Sequence, residues 1–140
     1  MKFVNKPLLV VEDDKVDVMT IKRALKEIEV SNPVVHRENG EDALAYLRDP
    51  DLEKPCVILL DLNMPIMNGT EFLRVIKHDD LLKSLPVIVL TTSEEPQDKL
   101  NSFNLGVAAY MTKPVVYRQF VELMRSIDRY WIGSELPDAN

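Results

Sequence analysis

The stretch that most constrains the fold is Val57–Leu60, four consecutive apolar residues followed directly by Asp61. Because the run has no polar alternation, it predicts a strand buried on both faces, as central strands of parallel sheets are. Pro65 follows and cannot continue such a strand. We therefore expect Asp61 at the carboxyl end of a central strand, where open α/β sheets bind their ligands.

Four further apolar runs alternate with helical patterns along the chain. The runs are Leu8–Val11, Val34–Val35, Val87–Leu90 and Val107–Met111. Between the first two, apolar residues such as Val18, Ile21 and Leu25 recur at the spacing of an amphipathic helix. Strands that alternate with helices form βαβ units. The sequence therefore predicts an α/β fold, with a doubly wound, five-stranded parallel sheet and helices on both faces.

Composition and charge argue against several classes of protein. The chain has 140 residues, with 17 Lys and Arg against 23 Asp and Glu, a net charge of −6 that disfavours binding to nucleic acid. Its apolar runs are far shorter than the ~20 residues of a membrane-spanning helix. The single cysteine, Cys56, fits a reducing compartment, and no secretory signal is visible. We expect a cytoplasmic protein that binds neither nucleic acid nor membrane.

Polar residues follow the carboxyl ends of four of the five predicted strands, where a binding site is expected. Glu12 and Asp13 follow the first strand, Asp61 the third, Thr91 the fourth and Lys113 the fifth. Carboxylates that converge repel each other unless a cation joins them. Mg²⁺ prefers oxygen ligands and is often held by one or two carboxylates together with phosphate oxygens. The sequence therefore predicts a Mg²⁺-dependent site at this edge of the sheet.

The residue types at this edge suit phosphoryl transfer. A carboxylate such as Asp61 can accept a phosphoryl group, and a cation and a lysine neutralise the charge on that group. Each residue also has an ordinary explanation when taken alone, since acids and threonines cap helices and Lys113 could be a solvated lysine. Their joint occurrence at one edge of one sheet favours the functional interpretation.

The ordered set of motifs resembles the receiver domain of two-component response regulators. The set comprises the acidic pair Glu12-Asp13, the segment Asp61-Leu62-Asn63-Met64-Pro65, Thr91 and Lys113-Pro114. The resemblance extends from about Leu8 to Trp131. It implies a flavodoxin-like fold with strand order 2-1-3-4-5, and one receiver domain over residues 1–140 with its core at about 7–132 and a tail at 133–140.

The resemblance also implies which residues hold the metal and the phosphoryl group. Asp61 matches the phosphoacceptor. Asp13 and Asp61 match the direct carboxylate ligands of Mg²⁺. The backbone carbonyl of Asn63 matches the third protein ligand, and Glu12 matches an acid that acts through water.

A second group of residues matches the family's switch. Thr91 matches the hydroxyl that moves to the phosphoryl group, and Tyr110 the aromatic residue that then turns inward. Lys113 matches the lysine that contacts the phosphate, and its bond to Pro114 is typically cis in this family. Thr92 departs from the small residue common at its position. Because a bulkier side chain there hinders the hydrolytic water, we predict a long-lived phosphoryl group.

The resemblance implies a stand-alone response regulator rather than an enzyme with an external substrate. A sensor histidine kinase is the expected phosphoryl donor, and the protein catalyses only its own phosphorylation and dephosphorylation. The switched surface comprises the fourth helix, the fifth strand and the fifth helix. The segment Arg129–Pro137 resembles the tails of regulators paired with bacterial phytochrome kinases, so we expect a partner of the phytochrome type.

The last predicted helix is more apolar than packing on a sheet requires. One stripe contains Tyr117, Phe120, Met124, Ile127 and Trp131, and a broader face adds Val116, Leu123 and Tyr130. A single stripe of about 100° suffices for a helix on a sheet. We therefore expect a homodimer through the fourth-helix, fifth-strand, fifth-helix face.

Three alternatives remain at this point. A haloacid-dehalogenase phosphatase also uses an aspartyl nucleophile but needs a second Asp where this chain has Asn63. A flavodoxin-like flavin carrier shares the fold, but its first strand should lead into a phosphate-binding loop rather than Glu12-Asp13-Asp14. The third alternative is a receiver-like scaffold that is never phosphorylated.

Overall fold

The five predicted strands form one parallel sheet. The computed structural model describes residues 6–132. The sheet order is β2-β1-β3-β4-β5, and all four strand pairings are parallel, which confirms the predicted topology. The strands are β1 (Leu8–Val11), β2 (Val34–Arg37), β3 (Val57–Leu60), β4 (Val87–Thr91) and β5 (Ala109–Thr112).

Five α-helices connect and cover the strands. They are α1 (Lys15–Glu27), α2 (Gly40–Arg48), α3 (Gly69–Lys77), α4 (Pro96–Asn104) and α5 (Tyr117–Ile127), and a π-helical turn, Asp128–Ile132, follows α5. Local signals explain where several of them begin. The Asp14 side chain caps α1 by accepting from two backbone N–H groups, Asn68 and Glu71 form a capping box at α3, and Pro96 occupies the first turn of α4.

The sheet separates two apolar layers. Along β1, Leu8 and Val10 face the layer of α1 and α5, whereas Leu9 and Val11 face the layer of α2 and α3. All residues of β1, β3 and β4 are buried, as expected for central strands covered on both faces. Apolar layers on both faces of the sheet therefore support the edge where the polar residues lie.

The last predicted strand and helix differ in extent from the sequence patterns. The fifth strand begins at Ala109 rather than Val107, because Val107 packs into the core ahead of the strand while the Ala108 N–H donates to Val87. The last helix is α-helical only to Ile127 and continues as the π-helical turn that carries Trp131.

Two sequence expectations fall outside this part of the chain. The proposed tail at 133–140 and residues 1–5 of the proposed domain lie outside the described residues. In the portion that is described, no helix combines the length and apolar character that crossing a membrane requires.

Candidate functional site

Strand register places Glu12 beside Asp61. Val11 lies opposite Leu60 in the β1–β3 pairing, and the Asp61 N–H donates to the Val11 carbonyl at 3.0 Å. Each acid is therefore the first residue beyond its strand. Because parallel strands end at the same edge, both carboxyl groups project into the crevice above the sheet.

The register of the other two strands brings Thr91 and Lys113 to the same edge. Thr91 lies opposite Thr112 in the β4–β5 pairing, and the Lys113 N–H donates to the Thr91 carbonyl at 2.8 Å. The Thr91 side chain is fully buried. All four strand ends that the sequence singled out therefore meet at one place.

Three carboxylates cluster closely enough to hold a cation. One oxygen each from Glu12, Asp13 and Asp61 lies within 4.8 Å of the others; Asp13 is exposed, and the other two are buried. Asp61 Oδ1 is buried and accepts no hydrogen bond from residues 6–132. A buried carboxylate oxygen without a donor is costly unless a cation binds it. The donor set therefore fits a hard divalent cation.

The Lys113 ammonium lies against two carboxylates other than Asp61. Its Nζ donates to Glu12 Oε1 at 2.6 Å and to Asp17 Oδ2 at 2.7 Å, whereas Asp61 Oδ1 is 4.0 Å away. Asp17 was not among the residues predicted from the sequence. Its one signal is position, since it lies in the first turn of α1, shortly after the acidic residues Glu12 and Asp13.

Burial and these charges shift two pKa values in the site. Burial raises the pKa of the Glu12 carboxyl from 4.5 to about 7; the hydrogen bond from Lys113 opposes the rise and the Asp61 charge adds to it. Burial alone would lower the pKa of the Lys113 ammonium, but its hydrogen bonds to Asp17 and Glu12 outweigh burial and raise the pKa. Lys113 therefore remains a cation at neutral pH.

Ser93 links Thr91 to Tyr110. The Ser93 N–H donates to Thr91 Oγ1 at 3.2 Å, and the Tyr110 hydroxyl donates to the Ser93 carbonyl at 3.1 Å. Ser93 Oγ in turn donates to Asp98 Oδ2 on α4 at 2.6 Å. A movement of Thr91 therefore reaches both β5 and α4 through one residue that the sequence analysis did not single out. Thr92, which lies between Thr91 and Ser93 in the chain, is exposed.

The remaining predicted residues lie in loops at the same edge. Asn63 is exposed, two residues after Asp61, in the loop between β3 and α3. Every peptide bond within residues 6–132 is trans, including the bond between Lys113 and Pro114. The implied cis bond is thus wrong for this structure; trans is the intrinsically favoured form of a bond before proline.

A comparison with known protein families identifies the family of this chain. The sequence profile described as "Response regulator receiver domain" matches residues 8–125. The chain belongs to this family. Membership in this family favours the receiver interpretation over the phosphatase and flavin-carrier alternatives.

The receiver is similar to known response regulators over nearly their whole length. Response regulator Rcp1 of Synechocystis sp. is 34% identical over 139 residues, which cover 96% of this chain and 95% of Rcp1. The structure of the phosphorylated cyanobacterial phytochrome response regulator RcpA superposes with a TM-score of 0.86 at 38% identity, covering 92% of this chain and 95% of RcpA. The Mn²⁺-bound form of Rcp1 superposes with a TM-score of 0.84 at 33% identity, covering 92% and 96%.

Proposed function

We propose that this receiver accepts a phosphoryl group on Asp61 from a sensor histidine kinase and thereby switches a binding surface. The observation that carries the proposal is the environment of Asp61. Its carboxylate lies beside two other carboxylates and a lysine, with one buried oxygen left without a hydrogen bond. In the transfer, that carboxylate bonds to phosphorus while the bond from phosphorus to the kinase histidine breaks and leaves its electron pair on nitrogen.

Mg²⁺ is the cofactor that we assign to the site. The carboxylates of Asp13 and Asp61 and the backbone carbonyl of Asn63 would hold it directly, and Glu12 through water. When bound, the ion neutralises negative charge on the transferring group. The three clustered carboxylates support the assignment, and the Mn²⁺-bound form of the relative Rcp1 contains a divalent ion of the same kind.

Lys113 and Thr91 bind the transferred group in this scheme. Lys113 supplies a point charge close to Asp61, and Thr91 supplies a short hydroxyl donor at the end of the neighbouring strand. When the Thr91 hydroxyl turns to the phosphoryl group, it leaves the Ser93 N–H that it accepts from in this structure. Tyr110, bonded to Ser93, then moves with the loop.

The surface that changes comprises α4, β5 and α5. The bonds from Ser93 to Tyr110 and Asp98 support this assignment, because they join the phosphorylation site to β5 and α4. A change of charge at Asp61 thus acts on a surface outside the site. The only reactions that we propose for the protein are its own phosphorylation and dephosphorylation.

Intact mass spectrometry tests the phosphoacceptor. Incubation with a small acyl phosphate and Mg²⁺ should add one phosphoryl group to the wild type and to Asp80→Asn, which changes an exposed acid away from the site. Asp61→Asn, or omission of Mg²⁺, should abolish the adduct. An unmodified wild type would contradict the proposal and favour the scaffold alternative.

The phosphoryl donor that we propose is a phytochrome-type kinase. The support is the coverage of nearly the full length of Rcp1 and RcpA, of which RcpA is described as a cyanobacterial phytochrome response regulator. Transfer should be faster from a phosphorylated bacterial phytochrome kinase than from histidine kinases without a phytochrome sensor. Equal or slower transfer from the phytochrome kinase would contradict this pairing.

We also propose a cytoplasmic location, one receiver domain across residues 1–140 and a homodimer through α4, β5 and α5. A cytoplasmic kinase domain as donor and a single cysteine support the location.

Leu100 and Phe103 of α4 are exposed apolar side chains and support the dimer. Only part of the broader apolar face expected on α5 is exposed and available to a second copy. Leu123 packs against the core, whereas Val116 and Tyr130 are exposed.

A further inference from the structure

We infer that Asp17 is a positioning residue that restrains Lys113 in the unphosphorylated receiver and competes with the phosphoryl group for its ammonium. The inference rests on the proposed function of Asp61. Asp17 lies in the first turn of α1 and does not belong to the carboxylate cluster that fits the metal. Within residues 6–132, the Asp17 side chain is linked to the site by its hydrogen bond from Lys113.

The distances show where the lysine is held. Lys113 Nζ is 2.7 Å from Asp17 Oδ2 but 4.0 Å from Asp61 Oδ1, which is beyond hydrogen-bonding range. The ammonium has three N–H donors, and two of them are directed at Asp17 and Glu12. A negatively charged phosphoryl group on Asp61 would attract the ammonium toward itself and thereby weaken its hydrogen bond to at least one of these partners.

Burial decides which partner is released. The Glu12 side chain is 3% exposed, so loss of the hydrogen bond from Lys113 would leave its buried Oε1 without a donor. The Asp17 side chain is 34% exposed and can turn to water when the lysine leaves. Asp17 is therefore the releasable partner, and its pairing with Lys113 stabilises the unphosphorylated form relative to the phosphorylated one.

Asp17→Asn should consequently bind a phosphoryl mimic more tightly. With Mg²⁺ saturating, the dissociation constant for beryllofluoride should fall about fivefold, the upper end for a partly exposed ion pair. Asp17→Glu, which keeps the charge, should stay close to the wild type. The dissociation constant for Mg²⁺ alone, measured by calorimetry, should change by less than about threefold, because Asp17 is not one of the clustered carboxylates that would hold the ion.

Two controls separate restraint of the lysine from loss of negative charge. Asp14→Asn removes an acid from the same end of α1, keeps a side chain that caps the helix, and leaves Lys113 paired. Its affinity for beryllofluoride should match the wild type. In a Lys113→Ala background, Asp17→Asn should no longer tighten binding.

The outcomes distinguish this inference from the proposed function. If the wild type is phosphorylated on Asp61 but Asp17→Asn binds beryllofluoride as tightly as the wild type or less tightly, the inference is overturned and the proposed function stands. Equal tightening by Asp14→Asn would also overturn it, because a general charge effect would then suffice. A wild type that neither accepts a phosphoryl group nor binds beryllofluoride overturns both.

Discussion

At the scale of single residues, Glu12 makes the stability of the metal-free receiver depend on pH. The pKa of its carboxyl is about 7 in the folded protein against an ordinary 4.5, chiefly because of burial. The folded state therefore holds a proton that the unfolded state releases between these values. This contribution to stability is complete below the unfolded pKa and is lost as pH rises through the folded pKa.

We predict that the free energy of unfolding of the metal-free protein falls by up to ~3 kcal/mol from this group as pH rises from about 5 to about 8. Urea unfolding in the presence of a chelator measures it. Glu12→Gln should lose most of this slope, whereas Glu94→Gln, at an exposed position, should keep it. A slope that survives in Glu12→Gln would assign the titration to another group.

Ile66 is a β-branched residue in a left-handed backbone conformation, with φ of 67°. Its side chain is 73% exposed, so little packing offsets the strain. Ile66→Asn should stabilise the protein by about 1 kcal/mol, because asparagine tolerates this conformation. Ile66→Val keeps the branched carbon and should give no gain in urea unfolding. Equal stability of the Asn variant and the wild type would show that Ile66 is not strained.

Thr92 lies directly after the buried Thr91 and is exposed at the mouth of the site. We predict that its side chain hinders the approach of water to the phosphoryl group, so Thr92→Ala should shorten the lifetime of the phosphorylated protein several-fold. The decay of phosphorylated protein after removal of the donor measures this lifetime. Thr70→Ala, in the first turn of α3, is the matched control. A longer lifetime in Thr92→Ala would contradict the role assigned to Thr92.

At the scale of elements, the start of α3 packs directly against Asp61, the proposed phosphoacceptor. A Cβ added to Gly69 would lie 2.6 Å from Leu62 Cα and closer still to the Asp61 carbonyl oxygen. These are backbone atoms, so they cannot give way as a flexible side chain would. The Gly69 N–H also donates to the Leu62 carbonyl at 3.0 Å, which holds α3 against the end of β3.

Gly69→Ala should therefore destabilise the protein by about 1–3 kcal/mol and slow the phosphorylation of Asp61. Thermal unfolding and the rate of phosphorylation by an acyl phosphate measure the two effects. Thr70→Ala changes the next residue of the same helical turn without adding an atom and should affect both far less. An unchanged melting temperature for Gly69→Ala would mean that α3 can shift freely.

At the scale of the whole molecule, the proposed dimer depends on exposed apolar side chains of α4. Phe103 is 47% exposed and lies against Tyr110, with ring centroids 6.5 Å apart. It thus extends the contacts of the half-buried Tyr110 to the outer surface. Burial of such side chains in a second copy would remove apolar area from water and favour association.

We predict that the phosphorylated wild type has the mass of a dimer in size-exclusion chromatography with light scattering, and that Phe103→Asp remains a monomer. Leu81→Asp introduces the same charge at an exposed position in the loop between α3 and β4 and should leave the dimer intact. A monomeric phosphorylated wild type at high concentration would contradict the dimer. Dimerisation of Phe103→Asp would place the interface elsewhere.

The sequence by itself determined the sheet and the residues at its edge. Short apolar runs without alternation, separated by helical patterns, favour strands covered on both faces, and the carboxyl ends of parallel strands share one edge of the sheet. These two rules place Asp61, Thr91 and Lys113 together without any knowledge of side-chain contacts. The family resemblance, confirmed by the match over residues 8–125, added the strand order.

Only the tertiary structure decided which partners those residues have. Lys113 and Asp17 are 96 positions apart, and no periodicity or local motif relates residues so distant in sequence. The 4.0 Å separation of Lys113 from Asp61 and the contact of Gly69 with the end of β3 likewise depend on how the helices pack on the sheet. Local patterns set the elements and their order, whereas the contacts that decide how the site works form only when distant elements pack together.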